Sequence, residues 1–146
     1  MAVNAAEEVV ARLKILRART QTTWARAAVT GMGELMIKAT RDELGKQSHQ
    51  PGTLTPSAAG EPPAMISGDL RNSIAATIPV SLGPGRYMVE VGGTTIYARI
   101  QQMGGDAGRN TKLDARPYLQ PAVKKLIDSG AFTAVAGKAF MAALRA

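Results

Sequence analysis

From Asn4 to about Leu44, apolar residues recur at spacings of three and four: Val9, Leu13, Leu16, Thr20, Trp24, Ala27, Gly31 and Leu35. That period places them on one narrow face and predicts a long helix with a coiled-coil-like seam. Asn4 followed by Glu7 has the spacing of a capping box. Arg12, Lys14, Arg17, Arg19 and Arg26 fall mostly off the seam. A straight helix of this length reaches ~60 Å at 1.5 Å per residue. Two glycines in "TGMGE" (Thr30 to Glu34) each weaken a helix interior by about 1 kcal/mol relative to Ala, so a bend or break is expected there, the alternative being a helix that projects.

The pattern then stops. Residues 47–66 hold four prolines and two glycines with no periodicity, which predicts a long loop, functional or disordered, that folds only when packed against another subunit. In "SGDLRNSI", Ser67 is expected to cap a helical turn, with Leu70 and Ile74 buried and Arg71 and Asn72 facing outward. "IAATIPVSL" and "RYMVEVGG" flank "GPG" and predict a hairpin from about Ile74 to Leu82 and Arg86 to Val91. Tyr87, Val89 and Val91 alternate with Met88 and Glu90, so one face should be buried. Pro79 marks an edge or a bulge.

"TTIYARIQQMGG" reads as a short helix with Ile96, Ile100 and Met103 on its packed face and Gly104 ending it. "DAGRNTKLD" reads as a polar loop. Helix resumes near Pro121, stops at Gly130, and is followed by an Ala-rich helix with Phe132, Val135, Phe140 and Leu144 available for packing. The sum is an α+β fold: a long N-terminal helix, a small antiparallel sheet built around a hairpin, and a C-terminal helix. One domain is expected over 1–146: helix to 46, loop 47–66, α+β core and terminal helix 67–146.

Composition narrows the function. The chain has one Trp, two Phe and three Tyr, so aliphatics and Ala must supply the core. The absence of cysteine excludes disulfides, thiolate metal sites and a cysteine nucleophile. No apolar run approaches a ~20-residue membrane span, and "MAVNAAEEVV" does not have the form of a signal peptide. Lys and Arg exceed Asp and Glu by 18 to 11, a net +7 spread along the chain without a basic block. Such a surface suits DNA phosphates or an acidic protein.

Candidate chemistry is sparse. His49, the single histidine, sits in the loop with no acid near it in sequence. Asp69, Glu90, Asp106, Asp114 and Asp128 are scattered, and no spacing announces a carboxylate pair. "GPGR" lacks the phosphate-cradling pattern, and "SGDL" is not a nucleophile elbow. No enzyme, no cofactor and no metal site is expected.

Three patches nevertheless recur in a set order. They are Gly68-Asp69-Leu70-Arg71-Asn72-Ser73-Ile74; Val91-Gly92 followed by Tyr97-Ala98 and Gln102-Met103-Gly104-Gly105; and Ala115-Arg116-Pro117-Tyr118-Leu119 with Pro121-Ala122. Over roughly residues 65–125 this resembles the neck and tail-completion proteins of tailed bacteriophages. One branch is the siphophage tail-component family, with T-G-x-L-R-x-S-I, V-G, Y-A, E-x-G-T and A-R-P-F-L-x-P-A. The other is the phage virion morphogenesis family, with Q-x-G-G after Y-A. Gln102 and Gly105 depart from the first branch, whereas Pro121-Ala122 agrees with it.

The resemblance implies a non-catalytic virion protein at the head–tail junction, assembled in the host cytoplasm. It implies a ring of six or twelve copies, closed by heterologous contacts. Its partners would be itself, head-completion proteins and tail-terminator or tail-tube proteins, with DNA passing the lumen and no membrane. Arg71, Asn72, Gln102, Arg116 and Tyr118 are the candidate interface residues. Arg71 is expected to form a structural or intersubunit ion pair, or to line the channel. For the Arg116 patch, a plain strand-to-helix joint with Tyr118 and Leu119 packed beneath the helix is at least as strong a reading. The alternative function is a basic DNA-binding accessory protein.

Overall fold

A computed structural model describes residues 2–52 and 57–145, the side chains of residues 2–4, 19 and 20 excepted. It is α+β. The elements, in order, are α1 (Ala2–Leu44), α2 (Asp69–Asn72), β1 (Ile74–Ala76), β2 (Val80–Gly83), β3 (Arg86–Met88), β4 (Val91–Gly93), α3 (Ala98–Met103), β5 (Gly105–Asp106), β6 (Lys112–Leu113), α4 (Leu119–Asp128) and α5 (Ala131–Arg145). The strands form three antiparallel pairs, β1–β4, β2–β3 and β5–β6. The chain groups into two compact units: Met1–Met32, Ile78–Val89 and Phe132–Ala146 in the first, Gly33–Thr77 and Glu90–Ala131 in the second.

In the first unit α1 packs on α5. Ala25 and Ala28 are buried. Trp24 donates its indole N–H to the Ala136 carbonyl at 2.9 Å and meets Phe140 edge-on, with ring centroids 5.8 Å apart. A Cβ on Gly31 would lie 2.7 Å from Val135 Cγ1. Gly31 is therefore what lets the two helices approach. The break expected at Thr30–Glu34 does not occur, and α1 is helical throughout. Packing against α5 offsets the propensity cost of the glycine.

Further toward the N-terminus the seam is not covered: Val9, Leu13 and Leu16 are all more than half exposed. Thr20 and Arg19 lie outside the described side chains. Asn4, the expected cap, falls inside α1, and its side chain is likewise not described. The hairpin β2–β3 pairs Val80 with Met88 and Ser81 with Tyr87, then shifts register before Gly83 meets Arg86. The expected long hairpin is thus two ladders, separated at Thr77–Pro79, where proline offers no N–H. Tyr87, Val89 and Val91 are half-buried while Met88 and Glu90 are exposed, as the alternation requires.

In the second unit β1 and β4 pair Ile74 with Gly93, Ala75 with Gly92 and Ala76 with Val91. The core is Leu44, Leu70, Ile74, Ala98 and Tyr118, flanked by Ile37, Val91 and Leu119. The loop after α1 is tied at its base: Met65 N–H donates to Gln47 O at 2.8 Å and His49 N–H to Met65 O at 3.0 Å. Ser57, itself buried, accepts from Ala64 N–H at 2.7 Å, and Gly60 N–H reaches Ala115 O. Residues 53–56 of that loop lie outside the described residues.

The expected packed face of α3 holds only in part. Ile100 is half-buried, but Ile96 and Met103 are exposed, and Ala98 is the buried residue. The polar loop after α3 is a small hairpin, β5–β6. Thr111 N–H bonds Gly108 O across Arg109 and Asn110, both at positive φ, the form of a type I′ turn.

Candidate functional site

The three sequence patches meet in the second unit and build one junction. Gly68 enters α2 at φ 83°, a left-handed conformation that suits glycine. Ser67 stands one position earlier than a cap. Its hydroxyl donates to Asp69 Oδ2 at 2.6 Å and accepts from Asp69 N–H at 3.3 Å. Leu70 and Ile74 are buried, as their spacing requires.

Two arginines clip α2 and β1 to the end of α1. Arg71 Nε donates to the Arg41 carbonyl at 3.0 Å, one of the last-turn carbonyls that a helix leaves unpaired. Arg41 in turn donates to the Ile74 carbonyl at 3.0 Å. Among the described residues Arg71 has no carboxylate partner, so the expected ion pair within the chain is replaced by a helix-end contact. Arg71 is half-buried, not outward-facing, whereas Asn72 is exposed.

Gly93 closes the middle patch onto the core. A Cβ there would sit 2.8 Å from Ala98 Cβ, 3.2 Å from Leu70 Cδ1 and 3.3 Å from the Tyr118 hydroxyl. Tyr118 is 1% exposed, and its hydroxyl donates to the Ala98 carbonyl at 3.2 Å. Burial raises its pKa above the ordinary 10.0. Tyr118, expected at an interface, is therefore a core residue: it supplies the area that Ala98 and Gly93 do not.

Gln102 Oε1 accepts from both Tyr118 N–H and Leu119 N–H, each at 3.0 Å. It caps the start of α4, where no local side chain does so. Arg116 continues the joint, its N–H donating to Gln101 O at 2.8 Å, while its own Nε is buried without a partner. Gly104 ends α3 at φ 70°, and a Cβ there would meet Ala115 N at 2.7 Å. Of the five candidate residues, Arg71, Gln102 and Tyr118 bond inside the chain through their side chains and Arg116 through its backbone N–H; Asn72 is exposed, and its backbone carbonyl accepts from Arg41 at 3.5 Å.

Beside this junction lies a cleft of about 320 Å³ between residues 63–71, Leu44, Tyr97 and Gln101. Its walls are mainly aliphatic, with Asp69 and Arg71 as its charged groups and the Gln101 Oε1 buried without a partner. His49 lies half-buried on the loop, its backbone bonded to Met65. No group of three or more His, Cys, Asp or Glu able to hold a metal occurs among the described residues. The arrangement can seat an apolar side chain, with the Ser67 hydroxyl and the Asp69 carboxylate paired at 2.6 Å in its lining. Sequence reasoning missed Arg41, whose only signal was a basic residue in the last turn of α1.

Searches against protein-family models, curated proteins and solved structures find no match for this chain. No helix among the described residues is long and apolar enough to cross a membrane.

Proposed function

We propose that the chain is a structural subunit of a tailed-phage head–tail junction, a neck or tail-completion protein working as a ring. The observation that carries this is the distribution of apolar side chains. Among the described residues ten apolar residues are buried, five of them alanine, while seventeen large ones stay exposed. Both units contribute to that exposed set, from Val9 and Ile78 to Ile96 and Ile127. Large apolar surface left open in a small chain is what an assembling subunit covers with its neighbours.

The resemblance of the three patches supports the same reading. Their residues converge on one core and one helix cap, so the pattern has a structural reason that needs no catalysis. Six- or twelve-fold closure, neighbouring head-completion and tail proteins, DNA in the lumen and a virion location belong to this proposal. A net charge of +7 with a pI near 10.1 favours a second reading, a basic DNA-binding accessory protein.

The test is genetic. Deleting this chain's coding sequence from the phage genome should leave filled heads and tails unjoined, and supplying the chain in trans should rejoin them. Normal infectious particles from the deletion would overturn the proposal. Steep salt-dependent binding of the isolated chain to duplex DNA, with junctions intact in the deletion, would establish the second reading instead.

A further inference from the structure

Residues 5–18 of α1 are exposed at every position. A helix of fourteen residues is marginal in water on its own. This one also carries Val9, Val10 and Leu13, each 49–58% exposed. On the 3.6-residue period these three form one stripe. Arg12 borders it on one side; on the other, Arg17 continues the edge that Val10 begins and Lys14 and Glu7 stand just beyond it, while Glu8 falls on the far side. Glu8 is already engaged by Arg12 along the helix. From Val9 to Gly33 there are five basic residues and no acidic one.

We infer that this stretch docks lengthwise on a helix of a different protein, one with an aliphatic seam flanked by carboxylates. Pairing with the same stretch of a second copy is disfavoured. Parallel pairing would set Arg12 against the partner's Arg17, and antiparallel pairing would bring the Arg12 edges together. Carboxylates on the partner remove that repulsion and steer its approach, while the stripe supplies the buried area. The exposed Glu8–Arg12 pair offers little resistance, since water screens such pairs. The inference does not depend on the junction reading.

The test uses the full chain and a fluorescently labelled synthetic three-heptad peptide, with Leu at its seam and Glu at its flanks. The same peptide with Lys at its flanks is the counterpart. The glutamates keep the first peptide from pairing with itself at neutral pH. The full chain should raise the anisotropy of the Glu peptide and not of the Lys peptide. Leu13→Glu should weaken binding at least ~tenfold. Its urea unfolding should stay unchanged, because Leu13 is 58% exposed on a stretch that is exposed at every position. Arg12→Glu with Arg17→Glu should switch preference to the Lys peptide. Equal binding of both peptides, no binding, or binding that survives Leu13→Glu would overturn the inference. So would adsorption to phosphatidylserine vesicles or duplex DNA with no response to the peptide.

Discussion

Gly92 and Gly93 are neighbours in β4, and replacing each with alanine should have opposite consequences. Neither has the positive φ that makes a side chain costly, so the backbone tolerates alanine at both. At Gly92 the new Cβ meets nothing within 4 Å. Alanine there reduces the freedom of the unfolded chain and should leave stability unchanged or raise it by up to about 1 kcal/mol. At Gly93 the Cβ lands 2.8 Å from Ala98 Cβ, on a helix, with Leu70 and Tyr118 at 3.2 and 3.3 Å. A methyl forced into such a core costs about 1–3 kcal/mol. With a urea slope of ~2 kcal/mol/M, a 2 kcal/mol loss lowers the midpoint by about 1 M. The assay is urea unfolding of the full chain followed by far-UV circular dichroism. Ala98→Gly in the Gly93→Ala background should recover part of the loss, because the two methyls compete for one space. A Gly93→Ala midpoint equal to that of Gly92→Ala would refute the close packing of β4, α3 and Tyr118.

Tyr118→Phe removes the bond to the Ala98 carbonyl and should cost about 1–2 kcal/mol in the same assay. The raised Tyr118 pKa means that the unfolded chain gives up this proton first, so wild-type stability should fall as pH rises above about 10. Comparison of pH-dependent midpoints should show a shallower fall in Tyr118→Phe. Gln102→Ala leaves the Tyr118 and Leu119 N–H groups at the start of α4 uncapped and should lower stability by about 0.5–2 kcal/mol, whereas Gln102→Glu, which keeps the acceptor beside a helix N-terminus, should stay within about 0.5 kcal/mol of the parent by thermal unfolding. Gly31→Ala should perturb Trp24 fluorescence and destabilise the first unit by about 1–3 kcal/mol, and Val135→Ala should relieve it.

How legible these features were in the sequence depends on what each residue answers to. "GPG", Gly104, Gly130 and the alternation from Tyr87 to Val91 are local signals, and the turns, helix ends and strand faces they mark are present. Gly31 answers to a distant partner, Val135, so local propensity misread it as a break. The α3 face was misjudged because the larger residues Ile96 and Met103 outweigh Ala98 in any pattern, yet the space beside Gly93 admits only a methyl. The β5–β6 hairpin was hidden because Arg109 and Asn110, at positive φ, stand where glycine is the usual sign. At the junction, the order of the three patches was visible, and so was the burial of Leu70 and Ile74. What the pattern could not separate was a residue facing a partner from one facing its own chain. Tyr118, Gln102 and Arg71 look polar enough for a surface, and each instead satisfies a backbone group inside the fold.

The junction proposal is tested most directly by counting this chain in the particle. Quantitative peptide mass spectrometry of purified tailed particles, scaled to the major capsid protein, should find about six or twelve copies per particle. Absence of the chain from intact, infectious particles would contradict the proposal.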